Sequence, residues 1–297
     1  MAAKGKTWFG TRGQETWIPT PAISPDYSRA GYSSGVSQGI NGSAFVRESK
    51  SAHNVYILSW PVTKTRDAVR LITDFADGIF DMEDGVNLIY WIDPMAADKN
   101  VLAQGWATPS LATEDGVPLV ADADGYGRPK AVPTPPNTSR YPARSAQYTI
   151  TPTSTTMQQY IPIPPGFSAW VGIHGDVAAQ DVLVVQRVNG LVDSGAAVAP
   201  TVLDVSTVVR VNTEFSSVDS GGIVLKFDTV LSDTVFTLHG LVVQILPTGQ
   251  VPQTGDFISG QGHSGCQFVG KPSKTPYSAK LDRVGATARL EETGMGL

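Results

Sequence analysis

Residues 222–246, GIVLKFDTVLSDTVFTLHGLVVQIL, set apolar positions against polar ones and then run into a second apolar stretch. Ile223, Leu225 and Phe227 alternate with Lys226 and Asp228. A break rich in Ser and Asp follows, and residues 235–246 resume the pattern. A period of two is the signature of a strand with one buried face. The same texture extends back to residue 146. Residues 146–151, 157–163 and 182–188 are short runs of β-formers. Phe167, Ala169, Val171 and Ile173 share one face, and Leu203, Val205, Thr207, Val209 and Val211 alternate with Asp204, Ser206 and Arg210. Runs of this kind, divided by Gly, Ser and Asp turns, predict a β-sandwich or jelly roll over 146–246.

The flanks differ. Residues 122–142, DADGYGRPKAVPTPPNTSRYP, are polar and proline-heavy, so 126–145 reads as a linker; 247–262, PTGQVPQTGDFISGQG, reads as a return linker. Upstream, TWFGTRGQETWIPTP (7–21) reads as two extended pieces around a turn, each with aromatics to bury. Strands are expected at 54–60 (NVYILSW) and 86–93 (VNLIYWID), with strand or turn over 101–112. Downstream, 263–297 mixes glycine with short apolar pieces, of which GATARLEE (285–292) suits a strand. Two linkers around a uniform block describe an insertion. Residues 1–125 and 263–297 would form one β-rich domain and 146–246 a second. The chain shows no internal repeat.

One helix is predicted, over 66–77. Thr65 caps its start and Gly78 stands at its C′ position. Val69, Ile72, Phe75 and Ala76 fall on one face. Its charges oppose the helix dipole, with Arg66 and Arg70 near the N-terminus and Asp74 and Asp77 near the C-terminus. An Arg70–Asp74 pair at i,i+4 recovers part of that cost. The helix is therefore expected to be held by packing, and these four residues are candidate contacts to a neighbouring subunit.

The chain of 297 residues is 41% hydrophobic and 16% charged, which excludes a disordered polymer. Its 30 Gly and 21 Pro exclude long helices over most of its length. A net charge of -5 and the lack of a basic patch with interleaved aromatics argue against nucleic-acid binding. No apolar run reaches the ~18 residues of a membrane span. The opening MAAKGKTWFG has no secretory apolar core, so use without Sec export is expected. The lone Cys266 forbids an internal disulfide and any zinc site built mainly on thiolates.

Motifs with chemical potential lack their contexts. Gly260–Gly265 matches GxGxxG, but the following CQFVGKPSKTP contains Gly270 and Pro272 and is no helix. Gly262-His263-Ser264-Gly265-Cys266 imitates a nucleophile elbow outside any α/β sheet, so a surface loop is the reading. Asp122 to Gly127 begins like a calcium loop, yet Tyr126 and Pro133 stand at ligand positions, so it reads as a solvated turn. His53, His174, His239 and His263 are scattered; His239 shares parity with Val235, Leu241 and Val243 and reads as a core histidine. Trp170 and His174 share the face opposite Phe167, Val171 and Ile173, with Gly172 between them. On an exposed face that pair suits stacking against a sugar ring. The competing reading is a strand covered on both sides. No catalytic constellation, cofactor site or metal site emerges.

The opening TWFGTRGQETWIPTP, the stretch NVYILSWPVTKTRDAVRLITDFADG (54–78) and the ending SGQGHSGCQFVGKPSKTPYSAKLDRVGATARLEETG (259–294) resemble minor tail proteins of siphoviruses infecting actinobacteria. The two-part plan is similar to that of distal tail proteins. The resemblance implies a belt domain, completed by the last segment of the chain, with a galectin-like β-sandwich inserted. It further implies a homo-oligomeric ring, usually sixfold, at the virion tail tip, touching the tail tube protein and the tail hub, with host glycan as a possible ligand. Low charge and many β-edges suit assembly. The expected function is a non-enzymatic structural subunit. The alternatives are a carbohydrate-binding module for host-surface glycans and, last, a cell-wall hydrolase using Ser264 or scattered acids.

Overall fold

The computed structural model describes residues 5–23, 28–30, 34–38, 44–48, 53–80, 88–93, 96–102, 130–133, 144–150, 157–175, 183–189, 192–193, 202–203, 213–216, 221–227, 234–252, 260–262, 265–278 and 283–292. It is mainly β, with antiparallel sheets and, among the described residues, one helix.

The N-terminal aromatics form a hairpin. β1 (Lys6–Thr11) pairs with β2 (Thr16–Pro19), placing Trp8 opposite Trp17. The Gln14 N–H closes the turn on the Thr11 carbonyl at 2.9 Å, and Gly13, at φ 76°, takes the left-handed position that the turn requires. Next come β3 (Ala22–Ile23), β4 (Ser28–Ala30) and a separate hairpin of β5 (Ser34–Gln38) with β6 (Ala44–Glu48). β7 (His53–Thr65) leads directly into α1 (Arg66–Ala76), and β8 (Ile89–Trp91) follows. The C-terminal segment supplies β19 (Cys266–Phe268), β20 (Ser273–Ser278) and β21 (Arg283–Glu292).

These strands make one nine-stranded sheet, in the order β2-β1-β8-β19-β21-β7-β3, with β20 also on β21 and β4 on β7. The last segment is thus the middle of the sheet. β19 bridges β8 and β21, while β21 runs along β7 from Arg283↔Thr65 to Glu291↔Val55. The two ends of the strand order, β2 and β3, are separated in sequence only by Thr20 and Pro21. Trp60 of β7 donates its indole N–H to the Pro19 carbonyl of β2 at 2.8 Å. The sheet therefore coils back on itself. Phe9, Ile18, Leu58, Trp60, Ile89, Cys266, Ala288 and Leu290 face inward and meet Val69, Ile72 and Phe75 of α1. The predicted apolar stripe is the buried one.

The helix ends as its sequence requires. Gly78 has φ 75°, its N–H bonds the Phe75 carbonyl at 3.2 Å, and the Ile79 N–H reaches back to Asp74 at 3.0 Å. This double closure satisfies carbonyls that a helix C-terminus leaves open.

The remaining strands build two sheets. One has six strands: β9 (Lys130–Pro133), β10 (Arg144–Ile150), β12 (Phe167–Gly175), β15 (Val202–Leu203), β16 (Thr213–Ser216) and β18 (Thr234–Pro247), with β18 between β12 and β10. The other has four: β11 (Met157–Pro162), β13 (Leu183–Asn189), β14 (Val192–Asp193) and β17 (Gly222–Phe227). The arrangement is sandwich-like, and Ala169, Val171, Ile223, Leu241, Val243 and Ile245 are buried in it.

The structure departs from expectation at the upstream linker. Residues 130–133 are not linker but edge strand β9, paired from Arg144↔Pro133 to Gln147↔Lys130. Pro133 terminates the strand, where a missing N–H does no harm. Within the expected strand 86–93, residues 86 and 87 lie outside the described residues and β8 is the strand; the Ile92 N–H still bonds the Trp8 carbonyl in the β1 register, and Asp93 then opens a turn to Ala96. Of 101–112 only Val101 and Leu102 are described, and of 203–211 only Leu203. The Asp122–Gly127 turn, His263, Ser264 and the side chains of His174 and His239 lie outside the described residues.

Phe75 is 1% exposed and lies between Phe9 (5.7 Å between ring centroids) and Phe80 (4.6 Å). Phe75→Ala should destabilise the chain by about 3–5 kcal/mol, through lost transfer energy and the cavity left behind. Urea unfolding of the purified variant measures it. A loss below ~1 kcal/mol would mean that α1 is not packed into this core.

Candidate functional site

The site with most built-in chemistry is the junction between the nine-stranded sheet and the inserted strands. β18 gives one edge to β12, and its other edge pairs with β10 only as far as Leu238. Residues 97–101 cover the remainder of that edge. The Ile245 N–H bonds the Ala97 carbonyl at 2.7 Å, and the Val101 N–H bonds the Val243 carbonyl at 2.9 Å. Next to them, toward Leu241, the Asn100 side chain stands in for a strand. Its Nδ2 donates to the Leu241 carbonyl (2.9 Å), and its Oδ1 accepts from the N–H groups of Val243 (3.1 Å) and Leu102 (3.3 Å). Asn100 is 0% exposed. Gln244 adds a bond from Nε2 to the Asp98 carbonyl at 2.7 Å. A primary amide carries both a donor and an acceptor in one plane, so it can satisfy a sheet edge as a peptide does.

The return passage fastens to the other side of the same segment. The N–H groups of Gln261 and Gly262 bond the carbonyls of Asn100 and Leu102, both at 3.0 Å. Gly262 has no room for a side chain, since a Cβ there would stand 1.9 Å from the Val101 carbonyl oxygen. The glycine that imitated a dinucleotide or nucleophile motif is present for close backbone approach. No helix follows it; β19 does, and Cys266 is buried at 0% exposure within the core, not on a surface loop.

A second contact lies beside the first. Tyr160 of β11 donates its hydroxyl hydrogen to Glu15 Oε1, at 2.6 Å, in the turn of the β1–β2 hairpin. The Tyr160 ring stacks edge-on to Tyr90 of β8 at 4.9 Å, and the Arg12 guanidinium stands 5.5 Å from its centroid. Gly222 makes space for the ring, because a Cβ there would come within 2.6 Å of it. Burial raises Glu15 above the usual carboxylate range, against the hydrogen bonds from Tyr160 and the backbone and the charge of Arg12. Burial also raises both phenols, with the Glu15 charge adding to the effect on Tyr160. Both tyrosines are therefore neutral at physiological pH. The Tyr90 hydroxyl is buried without a hydrogen-bond partner among the described residues. The cluster joins structural elements. A depression of about 270 Å³ including open solvent lies against Tyr90 and Tyr160, and another of about 260 Å³ opens at Trp8, Trp17 and Phe167; both are lined mainly by aromatic and aliphatic side chains. No group of three or more His, Cys, Asp or Glu is placed to hold a metal among the described residues. No helix among them is long and apolar enough to cross a membrane.

The residues singled out from sequence are not brought together. Arg66 and Arg70 are exposed at one end of α1, while Asp74 and Asp77 stand at the other. Arg70 pairs with Asp74 at 3.7 Å as the spacing predicts. Asp77 finds a counter-charge in its own chain, with Lys271 Nζ 2.7 Å away. That pair is largely solvated and contributes little to stability. Trp170 is half-buried, opposite Gln244 on one side and Glu214 on the other. On its face of the sheet Ser168, Val242 and Gln244 are all buried, so much of that surface is covered. Asn100, Gln244, Glu15 and Tyr160 were not singled out. Only the oddity of a polar Asn beside an apolar run at 100–102 hinted at one of them.

A scan of protein-family models and a search of curated proteins return no match. Among solved structures, the chain is similar to one titled "Structure of infectious bursal disease virus Gt strain". The identity is 12%, the match covers 97% of this chain and 65% of that chain, and the TM-score is 0.20. A likeness of that size bears on neither fold nor function.

Asn100→Ala would leave the Leu241 carbonyl and the Val243 N–H buried and unpaired. The expected cost is about 2–4 kcal/mol, far above that of an ordinary surface change. Chemical denaturation of the full chain reads it. A variant as stable as the parent would show that water replaces the amide at this edge.

Proposed function

We propose that the chain is a non-enzymatic structural subunit of a phage tail tip. It forms a ring, usually sixfold in the family it resembles, between the tail tube and the tail hub. On this reading the nine-stranded sheet with α1 is the belt, and the inserted strands are a galectin-like sandwich carried on its outside. The observation that carries the reading is the position of β19 and β21 between β8 and β7. The chain's two ends make one body, and a strand block leaves and re-enters it at a single clasp. That is the plan implied by the resemblance in residues 7–21, 54–78 and 259–294. The clasp supports it further, since hydrogen-bonded backbone and not a free tether joins the strand block to the sheet body.

Carbohydrate binding is a second reading, favoured by Trp170 standing partly exposed next to Glu214 in register. A ring and a pair of carboxylate and indole suited to a sugar are compatible with one another.

Native mass spectrometry and negative-stain imaging of the purified full chain test the first reading, with closed rings as the expected result. A chain ending at Gly262 lacks β19–β21 and should give no rings. A strictly monomeric full chain at micromolar concentration, or rings from the truncated one, would overturn it. For the second reading, wild type should be retained on host cell-wall glycan and Trp170→Ala should be retained several-fold less; no retention of wild type removes the idea.

A further inference from the structure

The contact between Tyr160 and Glu15 has two hydrogen-bonding states available. Tyr160 is 2% exposed, and its hydroxyl lies 2.6 Å from Glu15 Oε1 and 3.3 Å from the Gly221 carbonyl oxygen. A phenol has one hydrogen to give and lone pairs to accept. With Glu15 ionised, Tyr160 donates to the carboxylate. With Glu15 protonated, the carboxyl O–H donates to the Tyr160 oxygen, and the phenol hydrogen turns to Gly221. Neither state strands a polar atom of the pair. The ring cannot swing toward β17, because it fills the space over Gly222.

We propose that this pair is a proton-operated latch between the N-terminal hairpin and the inserted strands, which stays closed in both states by reversing its hydrogen bond and grips more tightly once Glu15 takes up a proton. Among the described residues, the titratable and charged groups around it are Arg12 on the hairpin turn, Tyr90 on β8 and, next to Tyr90, Cys266 on β19. Only Arg12 carries a compensating charge, and it stands over the ring. The ionised carboxyl is therefore half-buried, with the Tyr160 phenol, backbone N–H groups of the turn and the Arg12 guanidinium offsetting only part of the lost hydration. The neutral carboxyl carries no such cost.

The direction with pH comes from linkage. A carboxyl raised in the folded state above its ordinary value of 4.5 binds protons more readily folded than unfolded. Its contribution is fully present at low pH and fades as pH rises from that value through the folded one. The folding equilibrium constant should change about tenfold for each unit of elevation. The latch concerns the junction alone, so it does not stand or fall with ring formation.

The test uses the full chain with carbon-labelled glutamate. The Glu15 carboxyl should titrate with a midpoint above 4.5, and Tyr160→Phe should move that midpoint up further, because the donor to the carboxylate is gone. In thermal unfolding, wild type should gain more than Glu15→Gln on going from about pH 7.5 to about pH 5.5. Gln keeps the shape and the donor but cannot titrate. A midpoint at or below 4.5, or a Glu15→Gln variant with the wild-type pH slope, overturns the latch. Should Glu15→Gln fail to fold, the wild-type titration decides alone. A native oligomer measured at both pH values separates the outcomes, since rings can persist while the latch fails, or the reverse.

Discussion

Backbone pairing across β21 holds the sheet body in one piece. Remove that strand from the order and two fragments remain, β2-β1-β8-β19 and β7-β3 with β4, while β20 loses its partner and no strand joins the two edges left bare. Every N–H and C=O in those edges would need another partner, since an unpaired backbone group out of water costs about as much as a lost hydrogen bond. The last thirty-odd residues are therefore no appendage. They supply Ala286, Ala288 and Leu290 to the core and the ladder through its centre. The small side chains of Ala286 and Ala288 have a reason in the same place, since α1 lies over this sheet and Trp60 already fills much of the interior.

The insertion is tied to that body by the same requirement. β18 is long, and β10 covers only its first part. The bare edge beyond Leu238 is closed by residues 97–101, with Asn100 completing the pattern where the backbone does not reach. Because Gln261 and Gly262 bond the far side of those residues, the outgoing and returning passes of chain meet at one place. Tyr160 and Glu15 add a lateral contact, and Trp17 against Phe167 adds an apolar one at 6.0 Å. Bonds of three kinds on one junction oppose hinge motion more than any single kind would.

Much of this plan was legible. The β-former run at 157–163 and the alternating runs at 167–173 and 223–227 contain strands close to where the residues put them, although Tyr160 with Ile161 and Ser168 with Ala169 are buried as neighbours, so both faces of β11 and β12 are covered. Val69, Ile72 and Phe75 gave away the helix face, and Gly78 its end. The site was far less legible. Asn100 looks like any surface asparagine, and its value comes from carbonyls 141 residues away. Glu15 reads as a polar turn residue until Tyr160, 145 positions on, is placed against it. Lys130 to Pro133 read as linker because prolines around them hid a short edge strand. Trp170 drew attention by type, yet its neighbours Ser168, Val242 and Gln244 are buried by the chain that lies over them, which no local pattern records.

Local periodicity, turn chemistry and helix capping were settled by the residues themselves, since each depends on groups a few positions apart. So were the mainly β character and the single helix among the described residues. The coiling of the sheet, the central place of the C-terminal strands, the Asn100 clasp and the Glu15–Tyr160 pair were decided only in three dimensions. Their energies belong to contacts between residues far apart in sequence, from 41 positions for Trp60 and Pro19 to 145 for Glu15 and Tyr160, and a hydrogen bond gains its net value only when both partners are brought together.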